Sequence, residues 1–192
     1  MVRRFIVYSA TAHTSPIIRD LKSAGRIDVL LHSIISALFC SNEFRSDVEL
    51  HLILMGPPTS PRHIILKYHE DNTISKKDLK KLFEIALRRY REGETREVHP
   101  GVFIDNKSVE QVVEELKAKS ENIYMLSAAG EHIQELKKES FIDATFVLGD
   151  HDGFSKPVKK YLRKNIKRLS LGPQIYFTSQ AITILNYELD NF

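Results

Sequence analysis

The chain has 192 residues, a net charge of +3 and 42% hydrophobic side chains, which suits one globular domain with a substantial core. Its single cysteine, Cys40, excludes an internal disulfide and any multi-cysteine zinc site. The apolar runs are far shorter than a bilayer span and "MVRRFIVYSA" turns polar too soon for a signal peptide, so a cytoplasmic protein with no membrane partner is expected.

"RRFIVYSA" reads as an opening strand. "SPIIRDLKSAGRIDVLLHSIISALFCS" reads as mostly helical with a break near Gly25, because Ile27, Leu30, Leu31, Ile34, Ile35 and Leu38 share a face. "VELHLILMG" starts as an alternating segment and becomes continuously apolar, the pattern of a buried strand. "PPTSP" breaks the chain before a further strand, "RHIILKYH". In "SKKDLKKLFEIALRRYREG", Leu79, Leu82, Phe83, Ala86, Leu87 and Tyr90 recur at helical spacing, with Ser75 as cap and Gly93 as terminator.

A short strand at Val102–Ile104 precedes the helix "NKSVEQVVEELKAKS", where Ser108 and Gln111 have capping-box spacing. The rest reads as strand "NIYMLS", a polar helix or loop from Glu131, strand "ATFVLG", a basic helix, strand "KRLSLG" and a closing helix over about Thr178–Asp190. Strands alternating with helices predict an α/β domain over residues 1–192, with a mostly parallel sheet flanked by helices.

The modest net charge hides a concentrated one. "KPVKKYLRKNIKR" carries Lys156, Lys159, Lys160, Arg163, Lys164, Lys167 and Arg168 without an acid. Such a run is either a solvated helix face or a phosphate-binding surface that gains affinity by releasing counterions from nucleic acid.

Three strand ends share small residues: "MLSAAGE", "VLGDHDGF" and "LSLGPQ". Ligands of parallel sheets bind outside the carboxyl ends of strands, and glycine lets them approach the backbone. "GDHD" also invites a metal, and hence a metal-dependent phosphoesterase. Successive side chains converge on one ion only with a distorted backbone, and metal sites normally draw ligands from separated segments, so no metal is expected. There is no G-x-G-x-x-G, P-loop or G-x-S-x-G motif, and Cys40 and Ser170 have no evident local base.

"VLGDHDGF", then "RLSLGP", then "AITILNYELD" in the last helix resemble the carboxyl-terminal region of SPOUT methyltransferases. "GRIDVLLHSIISALFCSNEFRSDVELHLILMG" is similar to the archaeal tRNA pseudouridine-54 N1-methyltransferases, and the likeness runs over nearly the whole chain. The resemblance implies a trefoil knot within about residues 120–192, a homodimer, a tRNA substrate and S-adenosylmethionine as methyl donor. By position it puts the donor's contacts on Leu126, Gly149, Leu169, Ser170, Leu171, Gly172, Pro173 and Gln174. Ala181 stands where relatives often carry cysteine, so that position supplies no thiol.

The nitrogen to be methylated carries a proton, and a base or an anion-stabilising group would help its removal. "GRID" resembles an Arg-x-Asp motif of related rRNA pseudouridine methyltransferases, which makes Arg26 and Asp28 the candidate catalytic pair. Arg45, Lys159, Lys160 and Arg163 are the candidate RNA contacts. A non-catalytic RNA-binding module with the same basic helix is the rival expectation, and binding of the methyl donor separates the two.

Overall fold

The computed structural model describes residues 2–41, 43–71 and 74–191. Its strands are β1 (Arg3–Ser9), β2 (Val48–Leu54), β3 (Arg62–Lys67), β4 (Arg96–His99), β5 (Val102–Asp105), β6 (Ile123–His132), β7 (Thr145–Gly149) and β8 (Lys167–Ser170). The α-helices are α1 (Ile27–Leu38), α2 (Leu79–Arg89), α3 (Val109–Lys117), α4 (Lys156–Asn165) and α5 (Thr178–Asp190).

The strands form one 8-stranded sheet in the order β4-β5-β3-β2-β1-β7-β6-β8. Pairings from β2 through β1, β7 and β6 to β8 are parallel, and those among β2, β3, β5 and β4 are antiparallel. The sheet is therefore mixed, less parallel than the alternation of elements suggested. The turn between β2 and β3 is too short for a crossover, so β3 folds straight back on its neighbour.

Strand β1 shows why its sequence is continuously apolar. Phe5 and Val7 point into one core with α1, α2 and α5, while Ile6 and Tyr8 point into a second core with α3 and α4. A strand covered on both faces has no solvent side to mark with polar residues. The helices keep amphipathic patterns because each packs by one face only; the two-atom exchange of the Ser108–Gln111 capping box starts α3 as expected.

Three expectations fail locally. Residues 16–25 form turns rather than helix, and α1 begins only after Arg26, which sits in the left-handed region at φ 60°. Gly25 also has positive φ, and a Cβ there would lie 1.8 Å from the Thr11 carbonyl oxygen, so this segment is pressed against the loop after β1. Strand β6 runs on to His132 where a helix or loop was expected, pairing again with β8 after a register shift between Leu126 and Glu131. Gly130 permits that return: a Cβ there would meet the Leu169 nitrogen at 2.6 Å. Helix α2 stops at Arg89, short of Gly93, and Ser75 leads a 3-10 turn without a side-chain cap bond to the backbone.

Two buried polar networks cross the strands. Arg3 binds Asp47 at 2.7 Å and Asp190 at 2.8 Å, and Asn186 accepts from it at 3.2 Å, tying β1 to α5. The second runs from Arg4 through Glu49, His51 and His63 to Asp105, with His51 Nδ1 2.8 Å from His63 Nε2 and His63 Nδ1 2.9 Å from Asp105. Burial works to raise the Asp105 pKa, but hydrogen bonds from His63, the Lys107 amide and Thr95 outweigh it and hold the carboxyl well below its usual range. No helix among the described residues is long and apolar enough to cross a membrane.

Candidate active site

The parallel register brings the three strand ends together. Val7 is level with Leu148, Met125 with Val147, and Leu126 with Leu169, so Leu126, Leu148 and Leu169 lie in one row across β6, β7 and β8. Gly149 and Ser170 are each one residue beyond that row, and the segment from Leu171 to Gln174 continues from the same edge. Sequence spacing alone could not have aligned these segments; the shared strand direction does.

The two glycines have different reasons for being glycine. A Cβ on Gly149 would lie 2.6 Å from Gly153 Cα, so a side chain is excluded by the turn that follows β7. Thr178 at the start of α5 donates to the Gly149 carbonyl at 2.8 Å, and the Tyr8 carbonyl in β1 accepts from the Asp150 amide at 2.9 Å. Gly172 instead has φ 110°, and a Cβ there would meet nothing closer than His132 Nε2 at 3.8 Å, an open position facing away from the core. Its amide donates to Ser170 Oγ at 3.1 Å, which folds the chain back at the strand end. Leu169 and Ser170 are buried, Leu126, Leu171 and Gly172 partly so, and Pro173 and Gln174 exposed, so a ligand would meet a graded apolar-to-open surface there. Beyond them Ile175 and Phe177 are 94% and 72% exposed, unusual for large apolar side chains.

Arg26 and Asp28 meet as a fork: Nε lies 3.0 Å from Oδ1 and Nη2 lies 3.0 Å from Oδ2. The Arg26 hydrogen bonds lower the Asp28 pKa and Asp28 raises that of Arg26, and the charges of Asp150 and Asp152 raise Arg26 further. The pair at the start of α1 is thus electrostatically coupled to the turn after β7, the two segments being joined through the β1 loop. A carboxylate held this far toward ionisation accepts a proton poorly, so the fork suits anion stabilisation by Arg26 better than base catalysis by Asp28.

In that turn, oxygens of Asp150 and Asp152 and a ring nitrogen of His151 all lie within 4.8 Å of one another. The expectation that three successive side chains would diverge is therefore corrected: the tight turn, bridged between Asp150 and Gly153, folds them onto one side. Burial raises the Asp150 pKa, with the Ser9 side chain pulling the other way.

On α4, Val158 and Leu162 are buried and Lys156, Lys159, Lys160, Arg163 and Lys164 line an open groove of about 470 Å³. Arg45 is different. Its guanidinium forms a fork with Asp190 at 2.8 and 2.5 Å beside Arg3, which makes it part of the clamp on α5 and not a free cation. A separate hollow of about 310 Å³ beside β6 and β8 is lined by Tyr124, Gly130, Glu131 and Arg168 among others, and by none of the expected donor contacts.

A strand-end ligand edge, a guanidinium at its mouth and a cationic helix beside it define a class, an enzyme that acts on nucleic acid with a bound small molecule. The family model described as "Putative SAM-dependent RNA methyltransferase" matches residues 2–192. The chain belongs to that family, within the tRNA (pseudouridine(54)-N(1))-methyltransferases. The protein of that name from Methanopyrus kandleri is 34% identical over 200 residues, covering 98% of this chain and 93% of its own. That from Thermococcus gammatolerans is 32% identical over 200 residues, covering 99% and 98%. The crystal structure of Archaeoglobus fulgidus Nep1 bound to S-adenosylhomocysteine shares the fold, with a TM-score of 0.70 at 13% identity over 100% of this chain and 98% of that one.

Proposed function

We propose that this protein transfers the methyl group of S-adenosylmethionine to N1 of pseudouridine 54 in the tRNA T-loop. The observation that carries this is the near full-length similarity to relatives bearing that name, at 34% identity for one of them. The geometry agrees with it. Residues Leu126, Gly149 and Leu169, Ser170, Leu171, Gly172, Pro173 and Gln174 would hold the donor at the strand ends, where Gly172 leaves an open approach to the backbone. When bound, the donor supplies an electrophilic methyl on a sulfonium.

The chain's own residues then divide the work. Arg26 stabilises negative charge as N1 loses its proton, and Asp28 holds the guanidinium in place through the fork. Lys159, Lys160 and Arg163 draw the tRNA phosphates to the same side, and the T-loop, as a loop, can splay its base from the stack. Arg45 is left out of this set because Asp190 occupies it.

The same reading includes a trefoil knot in residues 120–192, a single domain over 1–192, a homodimer and a cytoplasmic location. The knot rests on the resemblance of the carboxyl-terminal motifs, and the exposed Ile175 and Phe177 support a second copy covering them. Sedimentation at micromolar concentration should give twice the 22.1 kDa chain mass; a monomer would remove the dimer from this reading.

The test of the reaction is mass spectrometry of tRNA carrying pseudouridine 54 after incubation with the protein and isotope-labelled donor. One labelled methyl on that nucleoside is expected. Binding of donor and tRNA without any label transfer would make the protein a binding module and sink the proposal.

A further inference from the structure

Asp150, His151 and Asp152 stand at the ligand edge, and methyl transfer as derived above gives them no task. Backbone bonds fix the first of them: the Tyr8 carbonyl accepts from its amide at 2.9 Å, and its own carbonyl accepts from Gly153 at 3.0 Å. Its Oδ1 accepts from the Asp152 amide at 3.0 Å. Its Oδ2 is buried and no donor meets it in full hydrogen-bond geometry, although the neighbouring Ser9 hydroxyl favours the ionised carboxylate; the Asp150 side chain as a whole is only 1% exposed. That oxygen lies 3.6 Å from Nδ1 of His151, whose other nitrogen, Nε2, is 3.3 Å from Oδ2 of the exposed Asp152. A buried carboxylate gains from every donor it can take, and beside the Ser9 hydroxyl the His151 imidazole N–H, 3.6 Å away, is placed to supply one after a small rotation. Such contacts are often long before substrate arrives and shorten in the complex.

We propose that His151 is the proton acceptor of the methyl transfer and that Asp150 is its positioning residue. This rests on the reading that pseudouridine N1 is the target. Asp28 is the less suitable acceptor, because its fork with Arg26 is the interaction that favours its ionised form. An imidazole is the side chain whose intrinsic titration falls closest to neutrality. With Nδ1–H turned to Asp150, the lone pair sits on Nε2, and the exposed Asp152 carboxylate 3.3 Å away must swing aside for the substrate to reach it.

Two carboxylates flank the ring and stabilise the charge that arrives with the proton. The other charged and polar groups around it are Arg26 with Asp28 at the start of α1, and Tyr8 and Ser9 at the end of β1. The charges of Asp150 and Asp152 reach Arg26, so the anion stabiliser lies within electrostatic range of the proton acceptor. Its positive charge also opposes capture of a metal cation by the turn.

The step balances without another reagent. The N1–H bond breaks, its electron pair stays on N1 and the proton passes to Nε2. The N1 pair forms the new N–CH3 bond while the S–CH3 pair returns to sulfur, and the imidazolium gives its proton to water.

His151→Gln is the main test, because the side chain is 28% exposed at a turn and glutamine keeps a polar group of similar reach there, with a melting curve as the control for folding. Single-turnover methylation at saturating tRNA and donor should fall about 100-fold or more at neutral pH. The residual rate should climb with pH as hydroxide takes over, with donor and tRNA affinities unchanged. Asp150→Asn should fall about 10-fold, less than the loss of a direct acid–base group, because it acts through the imidazole. In ¹⁵N spectra of the donor-free protein, that variant should move the neutral ring's proton from Nδ1 to Nε2, a shift that a purely structural Asp150 would not produce. A His151→Gln rate within threefold of wild type at every pH overturns the assignment. So does a wild-type ring protonated on Nε2, and so does activity that a chelator abolishes and magnesium restores. Wild type transferring no methyl at all would sink the underlying reading as well, whereas an active wild type with an indifferent His151 variant sinks this inference alone.

Discussion

Replacing Lys159, Lys160 and Arg163 on α4 by glutamine should weaken tRNA binding in a way that salt reveals. The three side chains line the open groove while Val158 and Leu162 anchor the opposite side of the helix, so the triple variant removes charge and leaves packing untouched. For every phosphate that is no longer neutralised, the slope of log K against log salt should flatten by about 0.9 on duplex backbone or about 0.7 on single strands. Three such phosphates give a change of about 2 to 3. Between 50 and 200 mM salt, wild type should therefore lose roughly 20- to 40-fold more affinity than the variant does. Filter binding over a salt series measures it, with a melting curve and donor calorimetry as controls that should not move. An unchanged slope would return α4 to the role of a solvated face and leave the RNA path to other residues.

Asp28→Asn should slow single-turnover methylation by about 10- to 100-fold, less than direct acid–base assistance is worth, since the carboxylate acts through Arg26; a rate within a few-fold of wild type at saturating substrates removes the fork from the mechanism. Valine at the two site glycines should separate fold from ligand: Gly149→Val is expected to lower the melting temperature because of its clash with Gly153, and Gly172→Val to weaken donor binding with a smaller cost in stability. The reverse ranking in paired melting and calorimetry experiments would show that the two positions have been misassigned. Acid stability should report the buried chain of Glu49 and His51. The His51 imidazole, 3.3 Å away, brings the Glu49 pKa from 4.5 to about 2 despite burial, so its contribution is full above pH 4.5 and disappears as pH falls toward 2. Burial at the same time pushes the His51 imidazole toward its neutral form, which weakens the pair, and Glu49→Gln should still flatten the curve of unfolding free energy against pH in this window. A curve of unchanged slope would mean that the pair is broken in solution.

Helix faces, capping and the buried central strand were legible in the sequence because they are set by neighbours along the chain. Ser108 and Gln111 cap α3, α5 spans Thr178–Asp190, and the continuously apolar end of "VELHLILMG" announces the burial of β2. The residues at the strand ends were legible too, through the small side chains of "MLSAAGE", "VLGDHDGF" and "LSLGPQ". Which of them do what was not. Arg45 is a plausible phosphate ligand until α5 brings Asp190, distant by 145 residues, against it. Gly149 is glycine for a reason no local pattern shows, because the turn folds Gly153 over it. The helical pattern after Ser15 is overridden where Gly25 must pass the Thr11 carbonyl, and β6 extends beyond its apolar part because β8 offers it a second set of partners. The approach of Arg26 to the Asp150 turn joins segments more than about 120 residues apart, and no local pattern encodes it. Periodicity along a chain determines which faces are buried; only closure of the sheet determines which distant charges then share an edge, because those distances depend on strand order and register.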